Sequence, residues 1–171
     1  MSSIAADLGG SKTTLWSYFR NKQDLFTAVI DDMVERYGEA LRMPLPADGD
    51  PVETLRRFAA SLMKTIMQPE IIALHRMVTG AAGRFPELGR LLYERGPGRG
   101  QARIADWLAQ LMQRGVLRTT DPMTASRHFA ALCQSGAFQR MLIGADGPPK
   151  PADVKREIDA AVDAFMRAYG V

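Results

Sequence analysis

Apolar residues recur three and four positions apart along nearly the whole chain, and glycine and proline cut that pattern into short lengths. This spacing gathers apolar side chains on one face of a helix, and no stretch alternates apolar and polar residues long enough to make a useful strand. No internal repeat or low-complexity tract is present. Such a chain folds as an all-α packing of helices. With 171 residues, 46% hydrophobic and 24% charged, it has material for a real core, which excludes disorder as its main state. No apolar run approaches the roughly 20 residues needed to span a bilayer. Met1–Asp7 lacks the basic start and apolar stretch of a signal peptide. The one cysteine, Cys133, cannot form an internal disulfide or a multi-cysteine metal site. The expected compartment is the cytoplasm, with no membrane partner.

The punctuation places the helices. A first segment runs from Ser2 to Leu8 and closes at Gly9-Gly10; a second starts at Ser11, a good N-cap, and ends near Phe19. Asn21 caps the next helix, with Asp24 at the capping-box position. That helix carries Phe26, Val29, Ile30, Met33, Tyr37 and Leu41 on one face and is expected to end before Met43-Pro44. Residues 44–50 read as a linker. Asp50-Pro51 opens a helix with Leu55, Phe58, Leu62 and Ile66 as its buried stripe. Pro69 restarts the chain in a helix with Ile71, Ile72, Leu74 and Met77. A segment from Arg84-Phe85-Pro86-Glu87 to Gly115 is interrupted at Pro97. Helices at 122–143 and 151–169 follow, separated by Gly147-Pro148-Pro149, the last with Val154, Ile158, Val162, Phe165 and Tyr169 on one side.

Two short helices joined by a tight glycine turn are the signature of a helix-turn-helix, whose second helix enters the DNA major groove. At about 100° per residue, Leu15, Tyr18 and Phe19 fall on one side of helix 11–19 and Thr13, Trp16, Ser17 and Arg20 on the other. Leu15 and Phe19 are expected in the core; the face of Tyr18 is intermediate. The free N–H groups at the helix start suit a phosphate. The charge supports this. The whole chain carries +3, and residues 1–43 hold five basic and six acidic side chains, a local balance of −1. Residues 10–22, however, hold Lys12, Arg20 and Lys22 and no acid. The acidic run Asp31, Asp32 and Glu35 reads as a solvated helix face.

The stretch Ile4-Ala5-Ala6-Asp7-Leu8-Gly9-Gly10-Ser11-Lys12-Thr13-Thr14-Leu15-Trp16-Ser17-Tyr18-Phe19-Arg20-Asn21-Lys22-Gln23-Asp24-Leu25-Phe26 resembles the DNA-binding segment of TetR/AcrR-type transcriptional regulators, whose pattern is roughly I-A-x-x-A-G-V-S-x-x-T-L-Y-x-Y-F-x-x-K-x-x-L. Leu8 stands where a small residue is usual, Gly10 for an apolar one and Trp16 for tyrosine. Further along, Arg84-Phe85-Pro86-Glu87-Leu88, Tyr93-Glu94-Arg95-Gly96-Pro97 and Gly115-Val116-Leu117-Arg118 resemble the C-terminal domain of the AefR-like members. The resemblance implies an N-terminal helix-turn-helix part, residues 1–43, with Ser11, Lys12, Thr13, Thr14, Trp16, Ser17, Tyr18 and Lys22 meeting DNA. Residues 44–171 would form a helical-bundle domain for ligand binding and dimerisation. It further implies a homodimer built on the last two helices, and a small-molecule pocket among the middle ones.

Single residues carry less. Met63, Met67, Met77 and Met112 could make an adaptable pocket wall, with Trp107 and His75 beside them, although methionine at helical spacing is more often plain core. His75 could hydrogen-bond a ligand. Its distance from His128 in sequence gives no metal site, and no cofactor is implied. Cys133 lies among Phe129, Ala130, Leu132, Ala137 and Phe138 and reads as a buried small hydrophobe rather than a redox sensor. The small residues around it suit close helix packing, and Phe129, Cys133, Ala137, Val162 and Phe165 are the candidates for a dimer interface. No catalytic constellation stands out, so an enzyme is disfavoured.

The expected function is a ligand-responsive regulator, a repressor, whose dimer binds a palindromic double-stranded operator and whose effector is a small apolar or aromatic molecule. The alternative is a dimerisation and ligand-binding module without specific DNA binding. It arises because family members carry one more helix ahead of the motif, whereas Met1 here stands at the apolar position three residues before Ile4. The expectation is that the missing helix lies upstream in the reading frame.

Overall fold

The computed structural model describes residues 18–171. Helix 11–19 falls almost wholly outside them, as do Ile4, Leu8 and Leu15. Phe19, expected in the core, is half-buried. The described residues form helices α1 (Lys22–Tyr37), α2 (Glu39–Arg42), α3 (Pro51–Ile66), α4 (Pro69–Ala81), α5 (Pro86–Arg95), α6 (Pro97–Gln113), α7 (Pro122–Gln134), α8 (Ala137–Ile143) and α9 (Pro151–Tyr169). Extended pairing among them is confined to one isolated bridge between Leu117 and Gly170. The N–H of Arg118 there donates to the carbonyl of Tyr169 at 2.8 Å.

Prolines head most of these helices because the first helical position has no N–H to satisfy and a fixed φ suits it. Caps complete the starts. Asn21 accepts the N–H of Asp24 at 2.8 Å, Asp50 that of Val52 at 2.9 Å, and Asp121 that of Thr124 at 2.7 Å. Each satisfies one of the four N–H groups a helix start leaves open.

Two expected helices are broken by glycine. The helix from Asn21 towards Met43 stops at Gly38 and resumes as α2. The N–H of Gly38 bonds to Val34 O at 2.8 Å, and a Cβ there would lie 2.2 Å from that oxygen. The helix expected over 122–143 divides at Ser135-Gly136 into α7 and α8. A Cβ at 136 would stand 2.5 Å from the carboxyl carbon of Glu157, which reaches in from α9 to cap α8. The stripe of α3 is also rotated from the expected one. Leu55, Phe58, Ala59 and Met63 are buried, whereas Leu62 and Ile66 are only half-buried.

Two apolar clusters result. The larger joins α3, α6, α7 and α9 around Leu55, Phe58, Met63, Trp107, Leu108, Leu111, Phe129, Cys133, Val162 and Phe165. Each large side chain there contributes about 1.5–3 kcal/mol by leaving water. The linker is tied to it by the indole N–H of Trp107, which donates to Pro46 O at 3.0 Å. Arg103 closes the end of α2, donating to Ala40 O at 3.0 Å and Met43 O at 2.7 Å. The smaller cluster joins α1 to α4 and α5 through Phe26, Ile30, Leu74 and Val78, with Leu88, Leu91 and Leu92 packed beside them. An ion pair of 2.8 Å between Asp31 and Arg95 crosses its rim. No helix among the described residues is long and apolar enough to cross a membrane.

Candidate functional site

Between the two clusters lies a cavity of about 360 Å³. That is at the lower end of the range for sites taking drug-sized ligands. Ile30, Met33 and Val34 of α1 form one wall and Leu74 and His75 of α4 another. Leu92, Tyr93, Gly96, Pro97, Gly100 and Gln101 come from the α5–α6 junction, and Phe129, Ala130, Gln134 and Phe138 close the far side. Leu62 and Ile66 face into this space, which is why they remain half-buried instead of entering the core with Met63. Gly96 and Gly100 add room by withholding side chains; the nearest neighbour to a Cβ on Gly100 would be Leu41, at 3.4 Å.

The polar groups on the wall are few and uncharged. Thr65 donates its hydroxyl to Tyr37 O at 2.6 Å, Ser126 to Gln101 O at 2.8 Å, and Tyr93 to Gln101 Oε1 at 2.9 Å. The His75 ring stands edge-on to Phe138 with centroids 5.8 Å apart. Burial pushes its pKa below the ordinary imidazole value because the charged form loses its water, so the ring is neutral at pH 7. Among the described residues no group of three His, Cys, Asp or Glu is placed to hold a metal ion.

Of the six expected ligand residues, His75 lines the cavity. Met63, Trp107 and Met112 are buried in the large cluster, Met67 packs on its edge, and Met77 is 49% exposed. Their helical spacing was that of core or surface, as each helix turned out to be oriented. Two polar lining residues not expected there, Gln101 and Gln134, are ordinary glutamines in amphipathic helices. Gly96-Pro97 with Gly100 was the one visible sign of an opening, since it clears a helix start of bulk.

The expected interface residues lie in the core of the single subunit. Phe129, Cys133, Ala137, Val162 and Phe165 each retain 0–2% of their surface. Their side chains are spent within the subunit, and a side chain with no free surface has none to offer a second copy. The exposed face of α7 carries Arg127, His128 and Ala131, and that of α9 carries Arg156, Ala160, Asp163, Ala164, Arg167 and Ala168. Cys133 is the small hydrophobe expected, with burial pushing its thiol up to about 12.

Of the expected DNA contacts, Ser11, Lys12, Thr13, Thr14, Trp16 and Ser17 lie outside the described residues. Tyr18 is 79% exposed, and Lys22 is the first residue of α1.

Residues 53–171 match the family described as AefR-like transcriptional repressor, C-terminal domain. Among solved structures, a TetR-family transcriptional regulator from Mesorhizobium loti superposes with a TM-score of 0.82 at 28% identity, over 98% of this chain and 85% of that one. The Flavonoid-responsive Regulator FrrA matches with a TM-score of 0.79 at 31% identity, over 99% of this chain and 86% of that one. A TetR regulator from Agrobacterium tumefaciens gives a TM-score of 0.79 at 28% identity, over 99% and 83%. No curated protein matches significantly.

Proposed function

Since the chain belongs to the TetR family of transcriptional regulators, with an AefR-like C-terminal domain, we propose that it works as a ligand-responsive repressor. A homodimer places helix 11–19 of each subunit in one major-groove half-site of a palindromic operator. Ser11, Lys12, Thr13, Thr14, Trp16, Ser17, Tyr18 and Lys22 are the contacts, the basic ones to phosphate. Dimerisation uses the exposed faces of α7 and α9, where Ala131, Ala160 and Ala164 allow close approach. The effector is an apolar or aromatic small molecule held in the cavity.

One observation carries this reading. The helix that leaves the motif, α1, is also a wall of the cavity, through Ile30, Met33 and Val34. A ligand touching those side chains has a different contact set in each orientation of α1. Only such differential affinity can shift the subunits between an arrangement that spans both half-sites and one that does not. The responsiveness to flavonoids named for the relative FrrA fits an aromatic effector here.

A mobility-shift assay with the full chain on DNA flanking its gene tests the reading. The expected result is a specific shift, lost in Lys12→Ala and Lys22→Ala and reversed by the effector. Absence of specific binding to every flanking fragment by a dimeric, folded protein would sink it and leave the module that binds ligand without DNA.

A further inference from the structure

Building on the cavity as effector site, we infer that it takes an uncharged aromatic compound bearing a hydroxyl group, and that His75, Gln101 and Gln134 select for that group. Among the described residues lining the cavity there is no Lys, Arg, Asp or Glu. A carboxylate or ammonium would leave water there without a counter-charge, and such burial costs far more than that of a hydrogen-bonded hydroxyl. The polar atoms present divide into two sets. The hydroxyls of Thr65, Ser126 and Tyr93 already donate to Tyr37 O, Gln101 O and Gln101 Oε1. The Gln101 amide hydrogens, the Gln134 amide and both ring nitrogens of His75 have no hydrogen bond among the described residues. Burial disfavours the charged imidazole, so His75 offers one N–H donor and one bare nitrogen acceptor. The unspent set is thus neutral, with both donors and acceptors, and suits a phenol, which both donates and accepts. The half-buried Leu62, Ile66 and Leu92 and the exposed ring of Tyr93 line the same cavity and supply apolar surface for a flat partner.

The full chain is titrated by calorimetry with flavone, 7-hydroxyflavone and flavone-7-carboxylate. The hydroxyl compound should bind about fivefold to tenfold tighter than flavone, the worth of one net hydrogen bond. The carboxylate should bind at least about a hundredfold more weakly than the hydroxyl compound. At least one of His75→Leu, Gln101→Leu and Gln134→Leu should bring the hydroxyl preference close to one. Three results overturn the inference while leaving the cavity as effector site: a carboxylate bound as tightly as the hydroxyl compound, a preference unchanged in all three variants, or no binding of any of the three compounds. Flavone binding that an Ala130→Phe plug in the cavity wall fails to weaken overturns the effector-cavity reading as well.

Discussion

The backbone N–H of Ala137, the first residue of α8, donates to both carboxylate oxygens of Glu157 on α9, at 3.2 Å to Oε1 and 2.9 Å to Oε2. A negative charge at a helix start meets unsatisfied N–H groups and the positive end of the helix dipole. The contact therefore does two things. It lets the chain break at Gly136, and it fixes α8 against the last helix. Arg140 holds the same carboxylate from the side at 3.2 Å.

Removing the cap and filling the space it occupies should not add. Glu157→Ala is expected to cost about 1–2 kcal/mol, as loss of an N-cap does. Gly136→Ala should cost about 1 kcal/mol or more, because its Cβ would stand 2.5 Å from the Glu157 carboxyl carbon and evict the cap. In the Glu157→Ala background that clash is gone, so the second cost should largely vanish. Denaturant titrations of the two single variants and the double variant give the coupling. Simple additivity would show that the carboxylate does not cap α8 in solution.

The buried thiol makes a prediction at alkaline pH. The Cys133 pKa is about 9 in an unfolded chain and is raised to about 12 by burial in the fold. Between those values the native state holds a proton that the unfolded state has lost. Stability from this group is intact below pH 9 and falls as pH rises, by up to about 1.4 kcal/mol per pH unit. The alkaline limb of stability should be shallower in Cys133→Ala than in the parent, which urea melts at pH 8, 9 and 10 would reveal. The native thiol should also resist a disulfide reagent at pH 8 until the protein unfolds.

His75 acts at the other end of the scale. Its pKa is lowered in the fold by loss of hydration, so below about pH 6.5 the unfolded chain takes up a proton that the native one refuses. Stability from this residue is complete above that pH and is lost as pH falls through the native value. His75→Leu should flatten the decline of melting temperature between pH 7 and pH 5. An unchanged slope would mean that the ring reaches water.

Much of this arrangement could be read from the residues alone, because prolines and N-caps act locally. Asn21, Asp50, Pro69, Pro86 and Pro151 all head or cap the helices they were expected to start, and Pro97 interrupts its segment as expected by heading α6. What could not be read depends on contacts distant in sequence. Nothing near Gly136 announces that Glu157 will stand beside it. Nothing in the spacing of α3 decides whether Leu62 or Met63 enters the core, since the two differ by about 100° around the helix. The cavity depends on such contacts as well. Its polar members Gln101 and Gln134 come to one cavity only when α6 and α7 pack. The interface candidates Phe129 and Phe165 lie inside the subunit because an apolar helix face serves its own chain first, and their rings pack edge to face 5.2 Å apart.

The division into two clusters predicts that α1 can let go without the rest. Its hold on the body is Phe26 and Ile30 against Leu74 and Val78, with Leu88, Leu91 and Leu92 beside them, plus the exposed Asp31–Arg95 pair and, at its last residue, the Thr65 hydroxyl on Tyr37 O. An exposed pair contributes about 1 kcal/mol or less, so the apolar contacts dominate. Ile30 is 1% exposed, and Ile30→Ala should cost about 2–4 kcal/mol by transfer and cavity terms together. The cost should fall on local opening, because the cavity already separates this cluster from the larger core. Native-state hydrogen exchange is the measurement. Amides of residues 25–37 should lose protection in Ile30→Ala, while those of 104–112 and 158–166 keep theirs. Asp31→Asn should move the same amides only slightly. Equal loss of protection across α1, α6 and α9 would mean that the two clusters unfold as one unit, and a ligand between them would then have no separate element to shift.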